Sequence, residues 1–109
     1  MPHIRVRGMS PAQVQTLSQD LVEGLAAIVN TSPDNFTIEH VPTQFYAHGH
    51  PEAGYPIMEV WWFERPADIK QKTAEHLTAS VRRIMPQSDV VVIFHPLGKA
   101  DYFENGRHF

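Results

Sequence analysis

Two stretches of this sequence, residues 2–42 and 57–95, follow the same order of strand, helix and strand. A repeated strand-helix-strand unit limits the chain to few folds, because the crossover connection between two parallel strands is almost always right-handed and places its helix against the sheet. We therefore expect an α+β fold of tandem βαβ units (βαββαβ), in which a four-stranded sheet has two helices on one face.

The first unit begins with alternating polar and apolar residues over 3–7, where Ile4 and Val6 form the apolar face of a short strand. Ser10-Pro11-Ala12-Gln13 predicts a helix start, with a capping hydroxyl, a proline in the first turn and a glutamine three residues after the cap. Apolar residues at steps of three and four continue this helix to about Asn30. A second strand with alternating residues ends near Pro42.

The second unit begins with strand 57–63, which is apolar at nearly every position and is expected to be covered on both faces. A helix follows from Glu64-Arg65-Pro66 to Pro86, and the last strand spans 90–94. Between the units, residues 43–56 are rich in Gly, Pro, His and aromatic residues and predict a loop or a distorted strand extension. The tail, 96–109, contains enough aromatic residues that we expect it to pack on the rest of the chain.

Length and composition narrow the class of protein. The 109 residues, 42% of them hydrophobic, fit one domain over 1–109, and a net charge of -3 offers no basic surface for nucleic acid. No cysteine and no long apolar run are present, so we expect a cytoplasmic protein with no membrane partner. Strands that are apolar on both sides would expose a hydrophobic sheet face in a monomer, which predicts a homo-oligomer.

Pro2 is the candidate catalytic residue. A small residue after the initiator methionine favours removal of Met1, and the Pro2 nitrogen then becomes a secondary amine instead of an amide. A free amine can take up a proton, and burial in an apolar pocket lowers its pKa toward neutrality. Proline also occurs at this position without any catalytic role, so the residue type alone does not decide its function.

Proton abstraction next to a carbonyl also requires a group that binds a carboxylate or stabilises the enolate oxygen. Arg65, between a strand and a helix, suits a carboxylate because guanidinium can donate two parallel hydrogen bonds. The alternative for Arg65 is a solvated charge at a helix start. Arg5 and Arg7 share a strand face and are further candidates, although edge-strand charges also discourage aggregation.

The seven histidines raise the question of a metal site, for which His40, His48 and His50 are the best set. Two histidines around a loop glycine are more often surface residues, and no acidic ligand is placed beside them. We therefore predict no metal and no cofactor. His3 adjoins Pro2 but faces the other way by alternation, so its expected role is to orient the terminus, or none, and we include it among candidate substrate-binding residues.

The Met-Pro start, the capped helix, Ser32-Pro33-Asp34-Asn35 before the second strand and the Gly-containing loop after it resemble the tautomerase superfamily. The likeness covers essentially the whole chain, and it is greater to macrophage migration inhibitory factor than to 4-oxalocrotonate tautomerase. It implies a bacterial branch of that superfamily and a homotrimer with a pocket at a subunit boundary. In that pocket an N-terminal proline moves a proton between carbon and oxygen of a small 2-oxo acid or enol.

Only some of the pocket residues of the family have a counterpart in this chain. Pro2 matches the catalytic proline, Tyr46 falls close to the pocket phenylalanine of 4-oxalocrotonate tautomerase, and Asn35 falls near the pocket tyrosine of the inhibitory factor. Arg65 lies where family members that bind carboxylates often have an arginine, and the candidate substrate-binding residues are Arg65, Tyr46, Asn35 and His3. Three other polar residues of the family pocket are replaced here, at about Thr31, Val91 and Ile93.

Three functions are compatible with these residues. The first is a proline-dependent tautomerase or isomerase, and the second is a non-catalytic oligomer of the same fold that binds a ligand or has a structural role. The third is a ferredoxin-like dimeric α+β barrel that binds a small molecule, since this fold has the same element order. A trimer in solution favours the first two, and a dimer with facing sheets favours the third.

Overall fold

The computed structural model describes residues 1–109 and consists of a four-stranded sheet, two long helices and two small hairpins. Two short 3-10 helices, Pro33–Asn35 and Lys99–Asp101, lie in the connections. The helices are α1 (Pro11–Val29) and α2 (Ala67–Arg82). The strands are β1 (His3–Arg7), β2 (Thr37–His40), β3 (Phe45–Ala47), β4 (His50–Glu52), β5 (Ile57–Phe63), β6 (Val91–Leu97), β7 (Phe103–Glu104) and β8 (Arg107–His108).

The sheet joins two parallel strand pairs through an antiparallel centre, in the order β2-β1-β5-β6. β1 is parallel to β2, β5 is parallel to β6, and β1 is antiparallel to β5. The predicted α+β fold is confirmed. The ferredoxin-like alternative is wrong, because in a split βαβ unit another strand separates the two that the helix connects, whereas here those two strands are hydrogen-bonded neighbours.

The core lies between one face of the sheet and both helices. Ile4 and Val6 of β1 are 1% and 0% exposed, and they pack in one cluster with buried side chains of β5, α1 and α2. Full burial of such a side chain stabilises the fold by about 1.5–3 kcal/mol. Leu21 and Leu25 of α1 and Leu77 of α2 belong to the same cluster. The helices therefore cover a single face of the sheet, as the repeated unit predicts.

The start of α1 has the predicted capping box. The Ser10 hydroxyl accepts a hydrogen bond from the Gln13 backbone N–H at 3.1 Å, and the Gln13 side-chain oxygen accepts one from the Ser10 backbone N–H at 2.9 Å. These bonds satisfy two amide groups that a helix end leaves without intrahelical partners. The helix ends at Asn30, whose φ of 58° is the left-handed conformation of a helix C-cap.

The segment 43–56 is more ordered than the sequence indicates, because β3 and β4 form a hairpin within it. Its turn residues His48 and Gly49 have φ of 51° and 78°, and two successive positive φ angles are what a tight type I′ hairpin turn requires. The other boundaries differ modestly: α2 ends at Arg82, before Pro86, and β6 continues to Leu97.

The sheet face opposite the helices, here called the open face, contains both polar and apolar residues. The prediction of an apolar face is therefore wrong. The residues of the open face on β5 are half-buried, so this strand is fully covered only on the helix side. On the open face Arg5 forms an ion pair with Glu39, and His95 Nε2 lies 3.1 Å from Glu59 Oε1. The His95 ring also stacks on Trp61, with centroids 3.9 Å apart. Polar pairs thus alternate with aromatic and aliphatic groups.

The C-terminal tail packs on the sheet end, as expected from its aromatic residues. The Tyr102 ring contacts Phe63 at the end of β5, and Phe109 contacts both rings, with centroid distances of 5.2–5.5 Å. The tail thereby returns the chain's last residues to the end of the sheet where β1 begins. No helix of the chain is both long enough and apolar enough to cross a bilayer.

Gly8, in the turn after β1, should not tolerate a side chain. Its φ is 83°, and an added Cβ would lie 2.0 Å from the backbone oxygen of Tyr55. We expect Gly8→Ala to lower the free energy of unfolding by about 3 kcal/mol, from backbone strain and steric overlap together. Chemical denaturation measures this change.

Gly49→Ala is the matched control. Gly49 has a similar φ of 78°, but nothing lies within 4 Å of its added Cβ. This variant should lose only about 1 kcal/mol, the cost of the left-handed backbone conformation. Equal losses in the two variants would contradict close packing of Tyr55 against Gly8.

Candidate functional site

A cavity of about 300 Å³ lies at the N-terminal end of β1, here called the N-terminal cavity. Four parts of the chain form its wall: the N-terminus, the turn before β2, the end of β5 with the residues after it, and the tail. The polar residues on its wall that bear on function are Met1, His3, Asn35, Arg65, Tyr102 and Glu104. Residues distant in sequence thus converge on one site.

The N-terminus lies on the cavity wall. The Met1 amine donates a hydrogen bond to the Asn35 carbonyl oxygen at 2.7 Å. Burial lowers the pKa of this amine below its usual value because it disfavours the charged form; the Glu104 carboxylate opposes this shift and the Arg65 charge adds to it. The environment at this end of the chain therefore favours the neutral, basic form of an amine.

Pro2 itself is buried behind this wall. Its side chain is fully buried, and its carbonyl oxygen accepts a hydrogen bond from the Thr37 backbone N–H at 3.1 Å. Met1, not Pro2, lines the cavity, and the Pro2 nitrogen is in an amide bond to Met1. This hydrogen bond to β2 therefore holds Pro2 behind the cavity wall, while the preceding residue, Met1, lies on the wall.

His3 connects the sheet to the tail. Its Nδ1 lies 2.5 Å from the Thr37 hydroxyl and its Nε2 lies 2.9 Å from the Tyr102 hydroxyl. Burial lowers the pKa of His3, and the nearby N-terminal ammonium lowers it further, against the opposing charges of Glu39 and Glu104. The ring is therefore neutral at neutral pH, with one nitrogen as a donor and the other as an acceptor.

Arg65 lies in the segment between β5 and α2, and its side chain lines the cavity. Its Nε is buried and has no hydrogen-bond partner, and the residue forms no ion pair. The neighbouring Glu64 pairs instead with Lys70. Since no carboxylate of the chain pairs with Arg65, an anionic ligand in the cavity would give its guanidinium a charged hydrogen-bond partner.

The structure brings four of the five predicted site residues to one place. His3, Asn35 and Arg65 line the N-terminal cavity, and Pro2 lies directly behind its wall. Tyr46 does not line it, because it lies on the β3–β4 hairpin with 70% of its surface exposed. Asn35 contributes its backbone oxygen, while its side-chain amide donates to Thr31.

Among the cavity residues that sequence reasoning missed are Tyr102 and Glu104, whose polar groups bear on function. The aromatic content of the tail predicted that it packs on the rest of the chain. It did not predict which residues the tail contacts, because the tail lacks a long periodic element. The contact between Tyr102 and His3 spans 99 positions. No local pattern specifies a pairing at that separation.

Two solved structures show which fold class this architecture belongs to. A protein described as fused 4-OT wild type asymmetric trimer superposes with a TM-score of 0.84 at 15% identity, covering 98% of this chain and 95% of the other. Macrophage migration inhibitory factor from Toxoplasma gondii superposes with a TM-score of 0.73 at 16% identity, covering 99% and 100%. At these identities the similarity is one of fold, and it confirms the tautomerase-type architecture.

The sequence itself belongs to the family described as Domain of unknown function (DUF1904), whose model matches residues 1–108. A solved member of that family from Sebaldella termitidis is 36% identical, with a TM-score of 0.95 and full coverage of both chains. No curated protein matches the sequence significantly.

The pKa of His3 predicts a pH effect on stability. Because the folded state lowers this pKa, protonation of His3 favours the unfolded chain. The contribution of His3 is complete above its ordinary pKa of about 6.5 and is lost as the pH falls through the lowered value. His3→Gln should therefore show a smaller loss of unfolding free energy than wild type between about pH 7.5 and about pH 5.

Chemical denaturation at several pH values measures this difference. His50→Gln, which replaces an exposed histidine of β4, is the matched control for loss of one imidazole. An identical pH dependence in wild type and His3→Gln would show that burial of His3 does not disfavour its charged form.

Proposed function

We propose that this protein is a tautomerase-like isomerase that moves a proton on a small 2-oxo acid or enol in the N-terminal cavity. The observation that best supports this function is Arg65, which forms no ion pair and lines the same cavity as the N-terminus. A cation that lacks a protein partner and an amine of lowered pKa are the two groups that enolisation of a carboxylate-bearing substrate requires.

Pro2 is the proposed general base and acid. Removal of Met1 frees the Pro2 nitrogen and vacates the part of the wall that Met1 occupies. The new amine would lie near the surroundings that lower the pKa of the Met1 amine, namely partial burial and the Arg65 charge, with Glu104 opposing them. A base whose pKa is near the working pH is the most effective at proton transfer.

The other site residues bind the substrate in this proposal. Arg65 holds its carboxylate through two parallel hydrogen bonds. His3 and Asn35 also line the cavity and contribute polar groups to its wall. No cofactor is required, since transfer of a proton between carbon and oxygen needs only a base and groups that stabilise the enolate.

We further propose that the protein is a homotrimer and that Tyr46 acts in the cavity of a neighbouring subunit. The β3–β4 hairpin pairs with no other strand, and isolated two-stranded ribbons are only marginally stable in water. Tyr46 and Tyr55 expose 70% and 42% of their surfaces on or beside it. Docking of this hairpin on another copy would cover both side chains. The fused 4-OT protein of similar fold is described as a trimer.

A second candidate function is non-catalytic binding of a small carboxylate. One observation favours it: Met1 lines the cavity, and while it is present the Pro2 nitrogen is an amide without basicity. Arg65 would then bind the ligand in the same way, and no proton would be transferred. The mass of the intact protein from native, untagged expression shows whether Met1 has been removed.

The activity test uses phenylpyruvate, a 2-oxo acid whose enol and keto forms differ in ultraviolet absorption. Pro2→Ala, produced with a free terminus, should lower kcat by about 100-fold or more, since it replaces the proposed base. Arg65→Gln should raise KM by about 10-fold or more, because it removes a charge-assisted pair to the carboxylate. Initial rates over a range of substrate concentrations measure both effects.

Arg83→Gln is the matched control for Arg65→Gln, since Arg83 is an exposed arginine at the end of α2. It should leave both kinetic constants unchanged. Turnover that is unaffected by Pro2→Ala would reject the isomerase mechanism. Carboxylate binding that depends on Arg65, in a protein without turnover, would support the non-catalytic alternative.

The oligomer proposal predicts a sedimentation mass of three chains. It also predicts that mixing Pro2→Ala subunits with Tyr46→Ala subunits, after dissociation and reassembly, restores part of the activity, because some cavities then receive both intact residues. A dimer in sedimentation, or no recovery on mixing, would contradict a shared site.

A further inference from the structure

The Tyr102 hydroxyl is a cavity group to which the proposed function gives no role. Tyr102 is half-buried in the tail and lines the N-terminal cavity together with Met1 and Arg65. Its hydroxyl oxygen lies 2.9 Å from His3 Nε2. The site therefore contains a phenol beside the terminal amine and the guanidinium.

The position of Tyr102 is fixed on two sides. Its ring meets Phe63 edge-on at 5.5 Å and Phe109 edge-on at 5.2 Å, and its hydroxyl is held by His3. Edge-to-face aromatic pairs stabilise such an arrangement beyond the burial of the rings. The phenol is thus oriented before any substrate binds, which is the condition for effective electrostatic stabilisation of a transition state.

The hydrogen bonds of His3 determine whether this phenol can donate into the cavity. A neutral imidazole has one donor and one acceptor nitrogen. When Thr37 donates its hydroxyl hydrogen to Nδ1, Nε2–H donates to the Tyr102 oxygen, and the Tyr102 O–H is free to point elsewhere. A negative charge on a ligand near Arg65 favours this arrangement of the hydrogen bonds, because it attracts the free O–H of Tyr102.

We propose that Tyr102 is a catalytic residue that donates a hydrogen bond to the enolate oxygen of the substrate, and that His3 positions it. This inference rests on the proposed isomerase function and adds the group that stabilises the developing negative charge. It also defines the substrate further, as an acid whose reacting carbonyl lies next to the carboxylate that Arg65 binds.

The step balances without any co-reactant. Pro2 takes the proton from the carbon next to the carbonyl, and the electron pair of that C–H bond forms the C=C bond. The carbonyl π pair moves to oxygen, where the Tyr102 O–H donates a hydrogen bond and Arg65 holds the adjacent carboxylate. The proton then passes from the Pro2 nitrogen to the oxygen, which regenerates the free amine and yields the enol.

The test is Tyr102→Phe, which removes the hydroxyl and keeps the ring between Phe63 and Phe109. With phenylpyruvate as substrate, kcat should fall by about 100-fold while KM changes little, because the lost hydrogen bond forms mainly in the transition state. Ser18→Ala, which removes an exposed hydroxyl of α1 outside the cavity, is the control and should retain wild-type kinetics.

His3→Leu provides the readout that distinguishes positioning from simple packing. It should lower kcat by about 10-fold, and it should have little further effect in the Tyr102→Phe background, since both changes remove one function. Additive losses in the double variant would reject the positioning role of His3.

A binding measurement extends the test to the charge of the ligand. Oxalate resembles the enolate of a 2-oxo acid, with a second anionic oxygen beside a carboxylate. Calorimetry should show binding of oxalate weakened about 10-fold in Tyr102→Phe and unchanged in Ser18→Ala, as expected for loss of a hydrogen bond to a charged group. Equal oxalate affinity in wild type and Tyr102→Phe would overturn the proposal.

Failure of this inference and failure of the isomerase function give different results. If Pro2→Ala abolishes turnover but Tyr102→Phe does not change kcat, the isomerase function stands and the role of Tyr102 is rejected. If Pro2→Ala has no effect, or if wild type has no turnover, the isomerase function fails and the catalytic role of Tyr102 fails with it.

Discussion

The pairing of β1 with strands on both sides is the constraint on which the rest of the structure depends. β1 has five residues, yet it is hydrogen-bonded in parallel to β2 and antiparallel to β5. Ile4 and Val6 anchor its inner face in the core. The outer face holds His3 and Arg5 at the register of Thr37 and Glu39. The first residues of the chain thereby lie next to a central strand of the sheet, which sets the position of the N-terminus with respect to the end of β5 and Arg65.

The sequence predicted those parts of the fold that depend on local periodicity. The capping box at Ser10, both long helices and the four sheet strands all follow from residues close together in the chain. The β3–β4 hairpin was missed because its short strands have little alternation and its turn depends on a left-handed His48. Propensity alone does not identify such a position.

The candidate site was less predictable than the fold for a related reason. Pro2 and Arg65 were identified by their chemistry together with the resemblance to the tautomerase superfamily, and His3 by its position next to Pro2. Their convergence follows from the sheet order. Tyr102 belongs to a tail whose position is determined by aromatic contacts with Phe63, at the far end of another strand. Such contacts are specified by the completed sheet, not by the tail.

The contact between His3 and Tyr102, 99 positions apart, also sets an order of events during synthesis. Protein chains leave the ribosome N-terminus first, at roughly 5–20 residues per second. The tail that closes the N-terminal cavity is therefore the last part to emerge, and until then the wall around Met1 is incomplete. The N-terminal cavity can therefore be completed only after the last residues of the chain have been synthesised.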